Sequence, residues 1–378
     1  MIFLNNYFFV PLQKKIMKKV FFSLCLLALV CNISAQKAAK SSVTQVPNSP
    51  KNVILLIGDG MGVTQVFTLM AVQENNAIEQ FTHAGFSKTS AADNFITESA
   101  AAASALATGK KTNNGYISID VETKQPLKTL VELSNAKGLS TGVVASCDIT
   151  HATPAAFLAH TLSRDNYEDI AADILNTRPT LFIGGGKDRF ENRRDNRNLS
   201  DSLRKQGFQV LYTLDDVQKT QNPKVAGLLY NVHPESMVNG RGDFLKPASQ
   251  KAVELLAQNP KGFFLMIESS QIDWECHDNR FEGLIGELKD FNHTIQAVLD
   301  FAKKDGNTLV IVTGDHETGG LTVPRTDKRG KVLFSRFTTF DHTPVMVPVF
   351  AFGPGAENFS GIYENTEIQK KICKLLGL

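Results

Sequence analysis

The residues of this 378-residue chain that could do chemistry lie at the ends of short apolar runs. Val53–Gly58 (VILLIG) is followed by Asp59, inside Gly58-Asp59-Gly60-Met61-Gly62. The run ending at Cys147 leads to Asp148, His151 and Thr153, and Phe263–Ile267 (FFLMI) to Glu268, Asp273 and His277. Thr308–Thr313 (TLVIVT) and a glycine lead to Asp315-His316, and His342 shortly precedes Val347–Phe352 (VPVFAF). A single Asp after a strand is ordinarily a turn former or a helix cap. Carboxylates, imidazoles and a hydroxyl at five strand ends are a pattern that turn chemistry does not produce. Asp273 and His277 are spaced i, i+4, which puts both on one face of a helical turn. Six Asp and His ligands suit a pair of zinc ions, whereas Glu268 and Thr153 offer oxygen only and could share Asp59 with a magnesium. Two close metals stabilise the entering and leaving oxygens of a phosphoryl displacement. Ser99 opens an alanine-rich stretch, Ser99–Thr108, that stops at Gly109. It therefore stands at a helix N-terminus, where free N–H groups favour an anion. The same window also describes a plain N-cap serine.

These ligands need a scaffold that brings strand ends to one edge. Continuous apolar runs alternating with helix-period stretches, such as Ala248–Ala257 and Glu282–Lys304, predict a parallel sheet covered on both faces. The expected fold is α/β: a three-layer sandwich with a central, mostly parallel sheet and helices on both faces. Its site belongs at the carboxyl ends of the strands. Residues 186–246 include the charged run KDRFENRRDNR and little apolar periodicity. They read as an insertion that leaves the sheet and serves as a flap, a subunit contact or plain solvated surface. No internal repeat is evident.

Composition is that of a globular protein: 42% hydrophobic, 21% charged, 27 Gly and 14 Pro. Forty Lys plus Arg face 38 Asp plus Glu, and removing the four lysines of the first 35 residues leaves 36 against 38. A near-neutral domain carries no broad nucleic-acid footprint. Lys18-Lys19, the apolar run Val20 to Cys31 and the small pair Ser34-Ala35 have the parts of a secretory signal over residues 1–35. The run is too short to span a bilayer. Met17 is an alternative start, and a lipid anchor at Cys31 is disfavoured by the bulky Val30 before it. Residues 36–50 read as a linker and 51–378 as the catalytic domain, exported to the periplasm or medium. Only Cys147, Cys276 and Cys373 then remain, an odd and scattered set that predicts separate buried thiols.

From about Lys51 to His342 and the strand beyond, the chain resembles the alkaline phosphatases. The resemblance rests on six motifs in order: IGDGMG, ES-A…TG-KKT-NNG, HATPAAFLAHTLSR, E-SSQ-ID-WEC-H, TGDHE and DHT. It implies a zinc held by Asp273, His277 and His342, and a second held by Asp59, Asp315 and His316 that activates Ser99. It also implies a magnesium at Asp59, Thr153 and Glu268, with Arg164 clamping two phosphate oxygens. The implied reaction converts a phosphomonoester to an alcohol and inorganic phosphate through a phosphoserine, in a homodimer with no membrane span in the mature chain. Three positions depart from the familiar pattern. Glu98 stands where an Asp usually precedes the serine, so the clamp is in question. His151 and Trp274 replace an Asp and a Lys, and resemble a pairing found in other bacterial members. His151 is expected to orient a ligand or face the phosphate rather than hold an ion. The rivals are a phosphodiesterase or sulfatase on the same scaffold and an exported zinc- or phosphate-binding protein without turnover. Ser99, followed by alanines, lacks the C/S-x-P-x-R context of a sulfatase. His83, His160, His233 and His293 have no acidic or histidine partner at ligand spacing and are expected to be packing or surface residues.

Overall fold

A computed structural model describes residues 49–328 and 332–378. The expected signal segment and nearly all of the expected linker lie outside the described residues. The strands are β1 (Asn52–Gly58), β2 (His83–Lys88), β3 (Ser140–Asp148), β4 (Leu181–Gly185), β5 (Gln209–Leu211), β6 (Val225–Leu228), β7 (Phe263–Ser269), β8 (Thr308–Gly314), β9 (Glu317–Thr318), β10 (Thr322–Thr326), β11 (Val332–Arg336), β12 (His342–Thr343), β13 (Val347–Phe352) and β14 (Gly361–Glu364). Ten of them form one sheet in the order β14-β2-β13-β8-β1-β7-β3-β4-β6-β5. All run one way except β13, which lies antiparallel between β8 and β2.

Burial on both faces explains the unbroken apolar runs. Val53, Leu55 and Ile57 of β1 point into one core with Ala103, Leu106, Phe157 and Ile372, while Ile54 and Leu56 point into the other with Leu69, Leu256 and Leu288. Helices Ser99–Thr108, Ala152–Leu158 and Thr366–Leu376 cover the first face, and Val63–Val72, Leu245–Leu256 and Phe281–Asp305 the second. This is the expected three-layer α/β sandwich. No helix among the described residues is long and apolar enough to cross a membrane.

Register brings the chemistry to one edge. Gly58 of β1 pairs with Ser269 of β7 and Gly314 of β8, and Ala145 of β3 with Glu268, so these carboxyl ends are level. Because β13 enters the sheet from that edge, its functional residue precedes the strand: hence His342 comes before VPVFAF.

The stretch 186–246 departs from expectation. Instead of leaving the sheet, it supplies strands β5 and β6. Both are short, and β5 is partly exposed, which is why their periodicity is faint. Arg241, fully buried, locks the end of this stretch to the long helix by donating from one guanidinium nitrogen to Glu287 (2.6 Å) and Asp290 (2.8 Å). The three described cysteines are free thiols, as expected, though only Cys147 and Cys276 are buried and Cys373 is partly exposed.

His160 is also not a simple packing residue. Its Nδ1 lies 3.2 Å from Asp173 and its Nε2 3.3 Å from Glu132, acids from two different helices, and its backbone N–H donates to Asp173 at 2.8 Å. Burial alone would lower its pKa, but the bonds and charges of Asp173 and Glu132 raise it to about 9. Since the unfolded value is about 6.5, the contribution to stability is complete below that pH and is lost as pH rises through about 9. Wild type should therefore exceed His160→Gln in unfolding free energy by about 1–3 kcal/mol more at pH 6 than at pH 10. Urea unfolding at both pH values measures this, and a pH-independent difference would show that His160 is not charged in the fold.

Candidate metal centre and nucleophile

Among the described residues, three clusters of side chains that could hold a metal ion lie at the sheet edge: Asp273, His277 and His342; Asp59, Asp315 and His316; and Cys147, His151 and Glu268. The first two are the triads expected from the sequence. In the first, the Nε2 atoms of His277 and His342 face each other at 3.0 Å, with Asp273 oxygens at 3.4 and 3.6 Å. The Nδ1 atoms point at carbonyls, His277 at Phe340 (2.5 Å) and His342 at Thr97 (2.8 Å). A carbonyl only accepts, so each Nδ1 carries the proton and each Nε2 presents a lone pair. Two lone pairs facing a carboxylate call for a cation.

In the second triad, His316 Nε2 lies 3.4 Å from Asp59 and 3.3 Å from Asp315. The Thr318 hydroxyl donates its one hydrogen to Asp273 at 2.5 Å, so it accepts from His316 Nδ1 at 3.2 Å. Thr318 thereby fixes the His316 tautomer and ties the two triads together. Gly60, at φ +73°, allows the close approach, since a Cβ there would lie 2.8 Å from both Asp273 Cα and Thr318 Oγ1.

The unpartnered atoms converge on the same edge. Both oxygens of Asp59, one each of Asp315 and Glu268, Thr153 Oγ1 and His151 Nδ1 are buried without a hydrogen-bond partner. Orphaned donor atoms of this kind are costly unless a bound group satisfies them. Burial, and then the neighbouring carboxylates, push Asp59 well above its ordinary range. Burial and Asp315 raise Glu268 to about 8, and burial and Asp273 raise Asp315 to about 7. His277 is raised to about 9, chiefly by its bond to Asp273, so in the metal-free triad a proton takes a cation's place. Oxygen atoms without partners, crowded negative charge and fixed imidazole lone pairs all fit divalent cations.

Ser99, 3% exposed, is the first residue of helix Ser99–Thr108, not its cap. Glu98 is the cap: its carboxylate accepts from Ala100 N (3.0 Å), Ala101 N (2.9 Å) and Gly115 N (2.8 Å). Relieved of capping, Ser99 turns its hydroxyl to His316 Nε2 at 3.3 Å. Glu98 also pairs with one terminal nitrogen of Arg164, while the other donates to His151 Nε2 at 3.3 Å. The longer side chain of Glu98 thus keeps hold of Arg164, whose remaining N–H groups are free for an oxyanion. Burial, and then the Arg164 charge, lower His151 to about 3, so it is neutral.

The sequence did not reveal several neighbours. His233, expected to be inert, packs edge-on to His151 (5.7 Å) and Trp274 (4.8 Å), and its Nδ1 accepts from Asp148 N. Cys147, expected as a plain core thiol, donates to Glu268 at 3.5 Å and stays protonated because burial and Glu268 raise its pKa. Neither has a sequence signal beyond lying near a ligand-bearing strand end.

Comparison with known proteins agrees with this geometry. The family model described as alkaline phosphatase matches residues 50–334. Alkaline phosphatase 4 of Bacillus subtilis is 32% identical, covering 91% of each chain, and the alkaline phosphatase of Escherichia coli is 30% identical, covering 90% of this chain and 88% of its own. The solved alkaline phosphatase of the Antarctic bacterium TAB5 is 41% identical with a TM-score of 0.82, covering 87% of this chain and 99% of that one.

Metal removal tests the electrostatics. Asp315 and Glu268 titrate at about 7 and 8 in the metal-free fold, against about 4 when unfolded. Their contribution is complete below about pH 4 and is lost as pH rises through 7–8. Chelated protein should melt lower at pH 8.5 than at pH 6, and added zinc should raise the midpoint more at pH 8.5. Equal increments at the two pH values would show that the carboxylates are not under mutual repulsion.

Proposed function

The chain belongs to the alkaline phosphatase family and is a hydrolase of that type, and on that premise we propose that it is an exported phosphomonoesterase acting through a phosphoserine at Ser99. The observation that carries the proposal is the placement of Ser99: it is freed from capping, held at a helix N-terminus and aimed at His316 between the two His-bearing triads. Asp273, His277 and His342 would hold one zinc and Asp59, Asp315 and His316 another. The oxygen donors of Asp59, Thr153 and Glu268 would hold a magnesium. Metals bound there supply positive charge for the entering and leaving oxygens.

The chain's own residues do the rest. Arg164, steadied by Glu98 and His151, binds two phosphate oxygens and sets the ester in line with Ser99 Oγ. The Ser99 hydroxyl loses its proton, its oxygen bonds to phosphorus, and the bond from phosphorus to the alcohol oxygen breaks. That oxygen leaves toward the Asp273, His277 and His342 side and takes up, directly or through water, the proton that Ser99 released. Water then attacks the phosphoserine: its oxygen bonds to phosphorus, the bond from phosphorus to Ser99 Oγ breaks, and a water proton passes to Ser99 Oγ as inorganic phosphate leaves. His151 and Trp274 bound the pocket and tune the hold on phosphate without contributing an ammonium.

Export rests on the basic and apolar pattern of residues 1–35, and a homodimer on the family resemblance; light scattering of the secreted protein checks both. The reaction is tested with an aryl phosphate at alkaline pH, comparing wild type and Ser99→Ala with metal content measured. Ser99→Ala should retain its metals and lose at least about 10³-fold in kcat. Acid quenching with labelled substrate should trap phosphate on the wild type alone. Zinc and phosphate binding with no turnover in wild type would leave a binding protein, and a strong preference for diesters would leave a phosphodiesterase.

A further inference from the structure

Glu317 follows the ligand pair Asp315-His316 but takes no part in either triad. Its carboxylate is 5% exposed and accepts from four groups, none of them a cation. One oxygen accepts from Gln65 Nε2 (2.8 Å) and Leu321 N (3.3 Å), the other from Gly320 N (3.3 Å) and the Thr343 hydroxyl. A buried carboxylate held by neutral donors alone is expensive to keep. Here its donors come from three separate segments. Gln65 lies in the first turn of the helix that follows the Asp59 loop, and its amide also donates to Thr318 O at 2.9 Å. Gly320 and Leu321 begin the excursion away from the site. Thr343 is next to His342, and β9 pairs with β12 so that Thr343 lies opposite Glu317 and His342 opposite Thr318.

We infer that Glu317 is a positioning residue that latches the His342 segment onto the Asp59 and Asp315-His316 segments, and so sets the affinity of the Asp273, His277 and His342 site for zinc. The inference rests on the reading that this triad holds zinc. The β9–β12 ladder is only two residues long on each strand, too short to fix His342 by itself. The side-chain bond from Thr343 to Glu317 adds an anchor one residue away from the ligand. Space is reserved for it: a Cβ at Gly62 would lie 2.3 Å from Glu317 Cγ. The carboxylate is chemically specific as well. Gly320 N and Leu321 N can only donate, one to each oxygen, so the amide of a glutamine must set an NH2 against an N–H.

Glu317→Gln should weaken zinc at this site by about 10–100-fold, the range for residues that orient metal ligands. Zinc per chain would be measured by elemental analysis after dialysis against graded chelator. Wild type should hold two zincs, and Glu317→Gln should give one up at lower chelator, with its metal-free melting midpoint near that of wild type. Excess zinc should restore aryl phosphate turnover. Combining Glu317→Gln with His342→Ala should release zinc no more readily than His342→Ala alone. If Glu317→Gln does not fold, Thr343→Val, which removes one donor, must show the same selective loss to a smaller degree. Retention of both zincs at wild-type chelator levels overturns the latch, and so does parallel loss of both zincs and of metal-free stability. Absence of zinc from wild type would instead overturn the metal assignment on which the latch rests.

Discussion

Crowded negative charge at one sheet edge is the constraint that the rest of the molecule obeys. Asp59, Glu268, Asp273 and Asp315 are all essentially out of water and close enough to shift one another's titration. Ionised carboxylates so placed repel strongly in a low dielectric and stay together only if cations or protons join them. The ten-stranded sheet supplies the rigidity that keeps them from separating. Its strands end level because parallel register leaves no slack, and both faces are sealed by helices packed on the two apolar cores.

Much of this was legible in the sequence because burial on two faces leaves continuous apolar runs. β1, β3, β7, β8 and β13 all announce themselves that way, and the candidate ligands at their ends followed. Strands β2 and β14 did not, since β2 alternates and β14 is half-exposed, each at the periphery with little apolar signal. β5 and β6 were hidden inside a charged stretch whose place in the sheet is set by Leu228, Ala226 and the buried Arg241 contact rather than by local pattern. At the site, residue types sufficed to pick out the two candidate triads. They could not suffice for Thr318, Glu317, Cys147 or His233, whose contacts join residues 45 to 252 positions apart or depend on a neighbouring ring.

Glu98 shows how one side chain can settle several questions together. A serine opening a helix is ordinarily its own cap, and a serine occupied in that way is a poor nucleophile. Placing the cap one residue earlier releases Ser99, satisfies the first N–H groups of the helix and leaves an anion to hold Arg164 in place. Helix capping, release of the Ser99 hydroxyl and orientation of the guanidinium are therefore one arrangement rather than three.

The antiparallel entry of β13 has a consequence for how the protein can change over evolutionary time. The ligands His316 and His342 are joined by a loop whose two ends are stapled together by the β9–β12 ladder, with the β10–β11 hairpin lying beyond the staple. Leu321 still donates to Glu317, but beyond it the hairpin meets the segments carrying His316 and His342 at this staple, where Thr338 N also closes onto Gly319 O. The outer part of the hairpin is thus the place where a change of length or surface would disturb His316 and His342 least.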